Sequence, residues 1–225
     1  MGLVMNIDLV LPNRDAAGRM LADRLESYRD GRNVVLALPR GGVPVGLQIA
    51  RRLQAPMDLL MVRKISMPGF PEFAIGAVID GAEPQVLLNE AVDPATLPAG
   101  YVEAEAQRML AEIARRRALY LQDHPAIPLA GKRAIVVDDG IATGATLRVA
   151  LAALARLDLL EIVVAVPVAA PDIVRELRRK VADVVCLITP DPFRAVGLHY
   201  VNFDQVSDAE VTEALRQSRE HPFPA

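Results

Sequence analysis

Apolar positions along the chain fall into two rhythms. Short runs that are almost wholly apolar occur at 34–38, 57–62, 134–137, 162–166 and 184–188. Runs of that length and texture predict strands buried on both faces. Between them the apolar residues recur at helical spacing. Ala17, Met20, Leu21 and Leu25 share one face of a helix predicted over 14–28, with Asn13 as its cap. Val43, Leu47, Ala50 and Leu53 do the same over 43–53. Further helices are predicted over 144–157 and over 171–180, the latter with proline at its start. A long charged helix over 101–122 carries Arg115, Arg116 and Arg117 in its last turns. Ser207 and Glu210 form a capping box that opens a final helix reaching about 217. Strand, loop, helix, strand is a βαβ unit, which is parallel and right-handed. The alternation predicts an α/β fold: an open, mostly parallel twisted sheet with helices on both faces.

Three stretches break the rhythm. Residues 63–72 begin with Arg63-Lys64 and contain Pro68, Gly69 and Pro71, which predicts an exposed, mobile loop running through Glu72. Segments 73–79 and 85–88 flank Asp80-Gly81 and predict a hairpin, followed by a linker at 94–100. From Thr189 the tail is irregular before the last helix, so 189–225 reads as a small C-terminal hood and terminal helix on a single domain spanning 1–225.

Composition narrows the function classes. With 52% hydrophobic and 24% charged residues, the chain can build a sizeable core. A net charge of −3 argues against a broad nucleic-acid-binding surface. The single cysteine, Cys186, sits in an apolar run and reads as a buried small hydrophobe; it excludes an intrachain disulfide and a cysteine-based metal site. No run approaches the ~18 apolar residues of a membrane span. The first residues, with Asn6, Asp8 and Arg14, lack the apolar core of a signal peptide, and a cytoplasmic protein is expected.

The chemistry concentrates at residues 135–147. A buried strand leads into Asp138-Asp139-Gly140-Ile141-Ala142-Thr143-Gly144-Ala145-Thr146. In an open α/β sheet, ligands bind at the C-terminal ends of strands. Gly140 and Gly144 allow unusual backbone angles and close approach. The helix that starts near Gly144 presents unpaired N–H groups and the positive end of its dipole, a site for a phosphate monoester assisted by the Thr143 and Thr146 hydroxyls. The two carboxylates repel that phosphate. They suit the vicinal hydroxyls of a sugar, or a divalent cation. Phosphate on the loop and sugar hydroxyls on the acids together describe a ribose 5-phosphate. Pro39-Arg40-Gly41-Gly42 follows the first strand in the same way, with two glycines for backbone approach and Arg40 as a charged donor fork. Arg63 and Lys64 end the second predicted strand, and both are expected to face the same mouth.

Residues 135–147 resemble the 5-phosphoribosyl-1-pyrophosphate (PRPP) motif of the type I phosphoribosyltransferases. The pattern over about 10–215, including the Pro-Arg-Gly-Gly turn, Val62-Arg63-Lys64 and Ala74-Ile75-Gly76-Ala77-Val78, is similar to a less characterised branch of that family. The resemblance implies that Asp138 and Asp139 contact the ribose hydroxyls and that Ile141 to Thr146 cradle the 5′-phosphate. It implies a pyrophosphate loop at Arg40, Gly41 and Gly42, with Arg40-Gly41 as a cis peptide. It also implies a mobile catalytic loop after Lys64, Mg²⁺ held mainly by PRPP oxygens, and a hood over 190–203 whose Phe193 stacks on a nucleobase, with His199, Tyr200 and Phe203 nearby. A homodimer is the partner state such families favour. Ala142 stands where several purine-using members carry an acid, which leaves the acceptor unnamed.

Three functions compete at this point. One is Mg²⁺-dependent phosphoribosyl transfer to a nitrogen nucleophile. Another is a non-catalytic regulator that senses PRPP or a nucleotide. The third, a hydrolase using Asp138 as nucleophile, lacks the Asp-x-Asp spacing it would need. Arg40, Arg63 and Lys64 favour the enzyme, since a sensor needs no clamp for leaving-group charge.

Overall fold

The chain alternates as the apolar runs dictate. In the computed structural model, which describes residues 10–80, 84–89, 92–121 and 124–220, the elements run in chain order. They are α1 (Arg14–Arg24), β1 (Asn33–Ala37), α2 (Gly42–Leu53), β2 (Met57–Leu59), β3 (Val62–Met67), β4 (Phe70–Ile79) and β5 (Gln85–Leu88). They continue with α3 (Tyr101–Leu121), β6 (Arg133–Val137), α4 (Ala145–Leu154), β7 (Glu161–Val168), α5 (Pro171–Leu177), β8 (Asp183–Ile188) and α6 (Asp208–Arg219). Five strands form a parallel sheet in the order β2-β1-β6-β7-β8. The other three form an antiparallel sheet, β3-β4-β5.

Every residue of β1 and β6 is buried, as continuous apolar strands require. Their side chains alternate between two cores. Val35, Ala37, Ile135 and Val137 pack with α1, α2, α3 and α6 on one face. Val34, Leu36, Ala134 and Val136 pack with α4 and α5 on the other. Helices therefore cover both faces. Each such contact is worth a few kcal/mol: truncating the fully buried Ile135 to alanine should cost about 2–5 kcal/mol. Asn13 caps α1 by accepting from the Ala16 N–H at 2.9 Å, and the Ser207/Glu210 capping box opens α6. Cys186 is half-buried, and burial pushes its thiol up to about 11. Among the described residues, no helix is long and apolar enough to cross a membrane.

Helices α4 and α5 end about three residues before their expected limits, at Leu154 and Leu177, and three segments differ in kind. The first helix stops at Arg24 and a 3₁₀ turn, Glu26–Tyr28, follows, because the Leu25 N–H is shared between the Leu21 and Ala22 carbonyls. That turn lets the Tyr28 hydroxyl donate to Asp183 at 2.8 Å, docking it on β8. The expected strand over 57–62 is two elements. Pairing with β1 ends at Leu59, and Val62 pairs instead with Ile79 of β4.

The third difference is the expected mobile loop at 63–72. It is the β3-β4 arm of the antiparallel sheet. Met67 pairs with Phe70, so Pro68 and Gly69 are a two-residue turn, with Gly69 at φ 77°. The Pro/Gly texture marks that tight turn and not a long excursion. Ile65 of β3 and Ile75 of β4 are fully buried and join the core. The hairpin between β4 and β5 is as expected, although Gly81 of its turn lies outside the described residues, as does Gln122 at the expected end of α3.

Candidate active site

From β1 the chain crosses to α2 on one face of the sheet; from β6 it crosses to α4 on the other. The strands are neighbours, so their C-terminal ends flank the point where the winding reverses, the place where open α/β sheets bind ligands. The register aligns Ala37 with Val137, and the Leu38 N–H continues the ladder onto the Val137 carbonyl at 2.8 Å. The turn bearing Arg40, Gly41 and Gly42 is therefore beside the acid pair Asp138 and Asp139.

The fit there is close. A Cβ placed on Gly41 would lie 1.9 Å from Asp139 Oδ2. Gly41 has an ordinary helical backbone, φ −61° and ψ −35°, so space and not conformation demands glycine. The cis peptide of this turn is Pro39-Arg40, one residue earlier than the expected Arg40-Gly41. The reason is local: Val43 N–H already donates to the Arg40 carbonyl, so Arg40-Gly41 belongs to the first helical turn of α2.

The two carboxylates sit in different surroundings. Asp138 accepts from the Asp139 N–H at 2.9 Å. Burial, followed by the charge on Asp139, pushes its carboxyl up to about 8. Asp139 pairs with Arg14, whose Nε donates to Oδ2 at 2.8 Å. The Arg14 guanidinium also donates to the Asp204 carbonyl at 2.7 Å and lies 3.9 Å over the Phe203 ring. Tyr200 donates its hydroxyl to the Asp139 carbonyl at 2.6 Å, and burial raises its phenol above the ordinary value. Tyr200 and Phe203 thus brace the acid pair from the tail, which Leu11 laces down by pairing with His199 and Val201.

The loop after the acids is divided between support and presentation. Ile141 is buried, and its N–H donates to Val168 at 2.8 Å, so it anchors the loop to β7 and has no free donor. Ala142, Thr143, Ala145 and Thr146 are exposed, and Gly144 is at φ 71°, a left-handed conformation suited to glycine. Gly144 is the N-cap of α4 with no side-chain cap, so its first-turn N–H groups are presented; Thr143 Oγ1 reaches the Ala145 N–H only at 3.5 Å. Arg148 holds the loop from behind. It donates to the Thr143 carbonyl at 2.7 Å and forks onto Glu176 of α5. Among the described residues, no three His, Cys, Asp or Glu side chains converge on a metal position.

A family model for the phosphoribosyl transferase domain matches residues 10–202. The chain belongs to this family. It is 44% identical over 204 residues to proteins of two Mycobacterium tuberculosis strains, CDC 1551 / Oshkosh and H37Rv, whose provisional name is phosphoribosyl transferase. That match covers 90% of the chain, and the chain spans about half the length of those relatives, 46%. The crystal structure of TT1426 from Thermus thermophilus is 38% identical, with a TM-score of 0.81, covering 92% of this chain and 98% of that one.

Set in this phosphoribosyl transferase fold, the remaining expected residues are dispersed. Arg63 and Lys64 lie on β3, where successive side chains point to opposite faces, so both cannot line one mouth. Arg63 turns to α3, 3.3 Å from Glu112. Phe193 stacks on His199, 6.1 Å between centroids, and packs against both the α4/α5 core and the tail. Arg40 reaches Asp208 of α6 at 3.5 Å. Arg14 and Arg148 join the site without any motif to announce them. Their signal in the sequence is weak: Arg14 reads as an ordinary residue after a cap, 125 positions from its partner.

Proposed function

We propose that the domain binds PRPP and transfers its phosphoribosyl group to a nitrogen nucleophile, a nucleobase, with release of pyrophosphate. One observation carries this reading: the β1–β6 register that sets the acid pair against the Arg40–Gly41 turn, with the uncapped start of α4 beside it. The α4 N-terminus with Thr143 and Thr146 takes the 5′-phosphate. Asp138 and Asp139 take the ribose hydroxyls, with Arg14 and Tyr200 fixing the orientation of Asp139. Family membership and the relatives named as phosphoribosyl transferases support the same class.

In the reaction the nitrogen lone pair forms the N–C1 bond while the C1–O bond to pyrophosphate breaks. The bonding pair leaves on pyrophosphate, and the N–H proton passes to solvent. Arg40 and Lys64 are the candidate cations for the charge that builds on the leaving oxygens. Mg²⁺ would be held mainly by the hard oxygens of PRPP, with Asp138 and Asp139 as the acids that could add a ligand, and when bound it would spread the leaving-group charge.

The experiment is a turnover screen of PRPP against a panel of nucleobases with Mg²⁺, reading pyrophosphate release. Release with one base supports the transferase and names the acceptor. PRPP binding with no release against any base would move the domain to the sensing class.

A further inference from the structure

The three arginines that end α3 have three different surroundings. Arg117 is partly buried and pairs with both Asp58 and Asp80. Arg116 pairs with Glu112 at 3.2 Å. Arg115 is exposed and makes no hydrogen bond or ion pair among the described residues. Arg115 and Arg116 line a cavity of about 520 Å³ together with Leu119, Tyr120, Asp208 and Arg40. Arg40 lies next to Gly41, the residue packed against Asp139, so the cavity borders the turn of the candidate active site through Arg40.

Its charge is unbalanced. Three guanidiniums line it against one carboxylate, Asp208. That carboxylate is already occupied: it accepts the Tyr120 hydroxyl at 2.5 Å and meets Arg40 at a long 3.5 Å. Glu112 adds no surplus, because it is shared between Arg116 and Arg63. Burial and the bond to Asp208 raise the Tyr120 hydroxyl above its ordinary value, while the charges of Arg116 and Arg40 pull it the other way. Both guanidiniums are therefore within electrostatic reach of the same hydroxyl. Like charges gathered round a cavity repel one another unless an anion enters, and the planar guanidinium fork matches phosphate oxygens best.

We propose that Arg115 and Arg116 of α3 form, with Arg40, a cationic subsite that holds the pyrophosphate group of the phosphoribosyl donor and of the released product. The proposal rests on the PRPP reading above and adds to it two residues outside every motif the sequence displays. The motif cations lie on the turn after β1 and on β3; these come from a helix whose sequence reads as a solvated face. They would take up charge as the C1–O bond breaks, and they would set the affinity for product.

The test is isothermal titration calorimetry of the intact chain with inorganic pyrophosphate and, in parallel, with ribose 5-phosphate. The variants are Arg115→Ala/Arg116→Ala and the charge-keeping Arg115→Lys/Arg116→Lys. In the alanine variant pyrophosphate affinity should fall about tenfold or more, the loss of one or two charge-assisted contacts, with ribose 5-phosphate affinity unchanged. The lysine variant should recover part of the loss. Unchanged pyrophosphate affinity in the alanine variant overturns the subsite, and so does an equal loss for both ligands. If the wild type binds pyrophosphate through these arginines yet does not bind ribose 5-phosphate, the subsite stands and the PRPP reading falls.

Discussion

The two ends of the candidate site are built from different materials. At the β6–α4 end, short side chains and backbone do the work: two acids, two glycines and the uncapped start of a helix, all within nine consecutive residues. At the Arg40 end, long side chains converge from the turn after β1 and from α3, against Asp208 of α6. The first kind of site is fixed by strand register and tolerates little change in volume. The second is fixed by electrostatics between distant segments and tolerates change in volume but not in charge.

The difference can be attacked at several strengths. The largest effect should come at Arg117, the one arginine of the α3 trio whose role is structural. Its side chain is 16% exposed and its partners Asp58 and Asp80 are 7% exposed. Arg117→Ala removes the cation shared by two largely buried carboxylates and should cost about 3–5 kcal/mol, read as a shift in the denaturant midpoint. A loss below about 1 kcal/mol would mean that solvent already reaches this group.

Next is the volume test at the tight end. Gly41→Ala drives a methyl into Asp139, and the acid pair must shift by about an ångström. PRPP affinity should drop about 100-fold with a native circular dichroism spectrum. An alanine accepted at full affinity would show that the turn and the acids do not form one surface.

A smaller effect is electrostatic. The Asp138 carboxyl is raised to about 8, against ~3.9 in an unfolded chain. The folded protein holds that proton more tightly, so the stability it contributes is full below about pH 4 and is lost as pH rises toward 8. Wild type should therefore lose up to about 1.4 kcal/mol per pH unit across part of this window relative to Asp138→Asn, which has no proton to lose. Parallel melting curves from pH 5 to 8 would contradict the burial of Asp138. The smallest effect is Arg115→Ala, which should leave stability within about 0.5 kcal/mol while weakening pyrophosphate binding.

The same contrast explains what can be read from the sequence. The parallel sheet, its helices and residues 138–146 are legible because each depends on local pattern: apolar runs, a cap, glycines and threonines in sequence. The hairpin reads as a loop because Pro68 and Gly69 make one tight turn, while Val62 and Ile65 already pair with β4. Arg14 escapes a sequence reading because its carboxylate partner is set by the packing of α1 under the tail, not by any spacing. Arg63 and Lys64 share a mouth only if a loop carries them; a strand separates them. Phe193 follows a strand end, which suggests a stacking platform for a base, and the ring it meets is His199.

The central claim is that the acids after β6 hold the ribose of PRPP. Binding calorimetry of PRPP with the wild type and with Asp138→Asn/Asp139→Asn tests it most directly. The variant should still fold, should melt cooperatively, and should bind PRPP about 100-fold more weakly, from the loss of the two carboxyl contacts to the ribose hydroxyls. A folded variant with unchanged PRPP affinity would show that the ribose is held elsewhere.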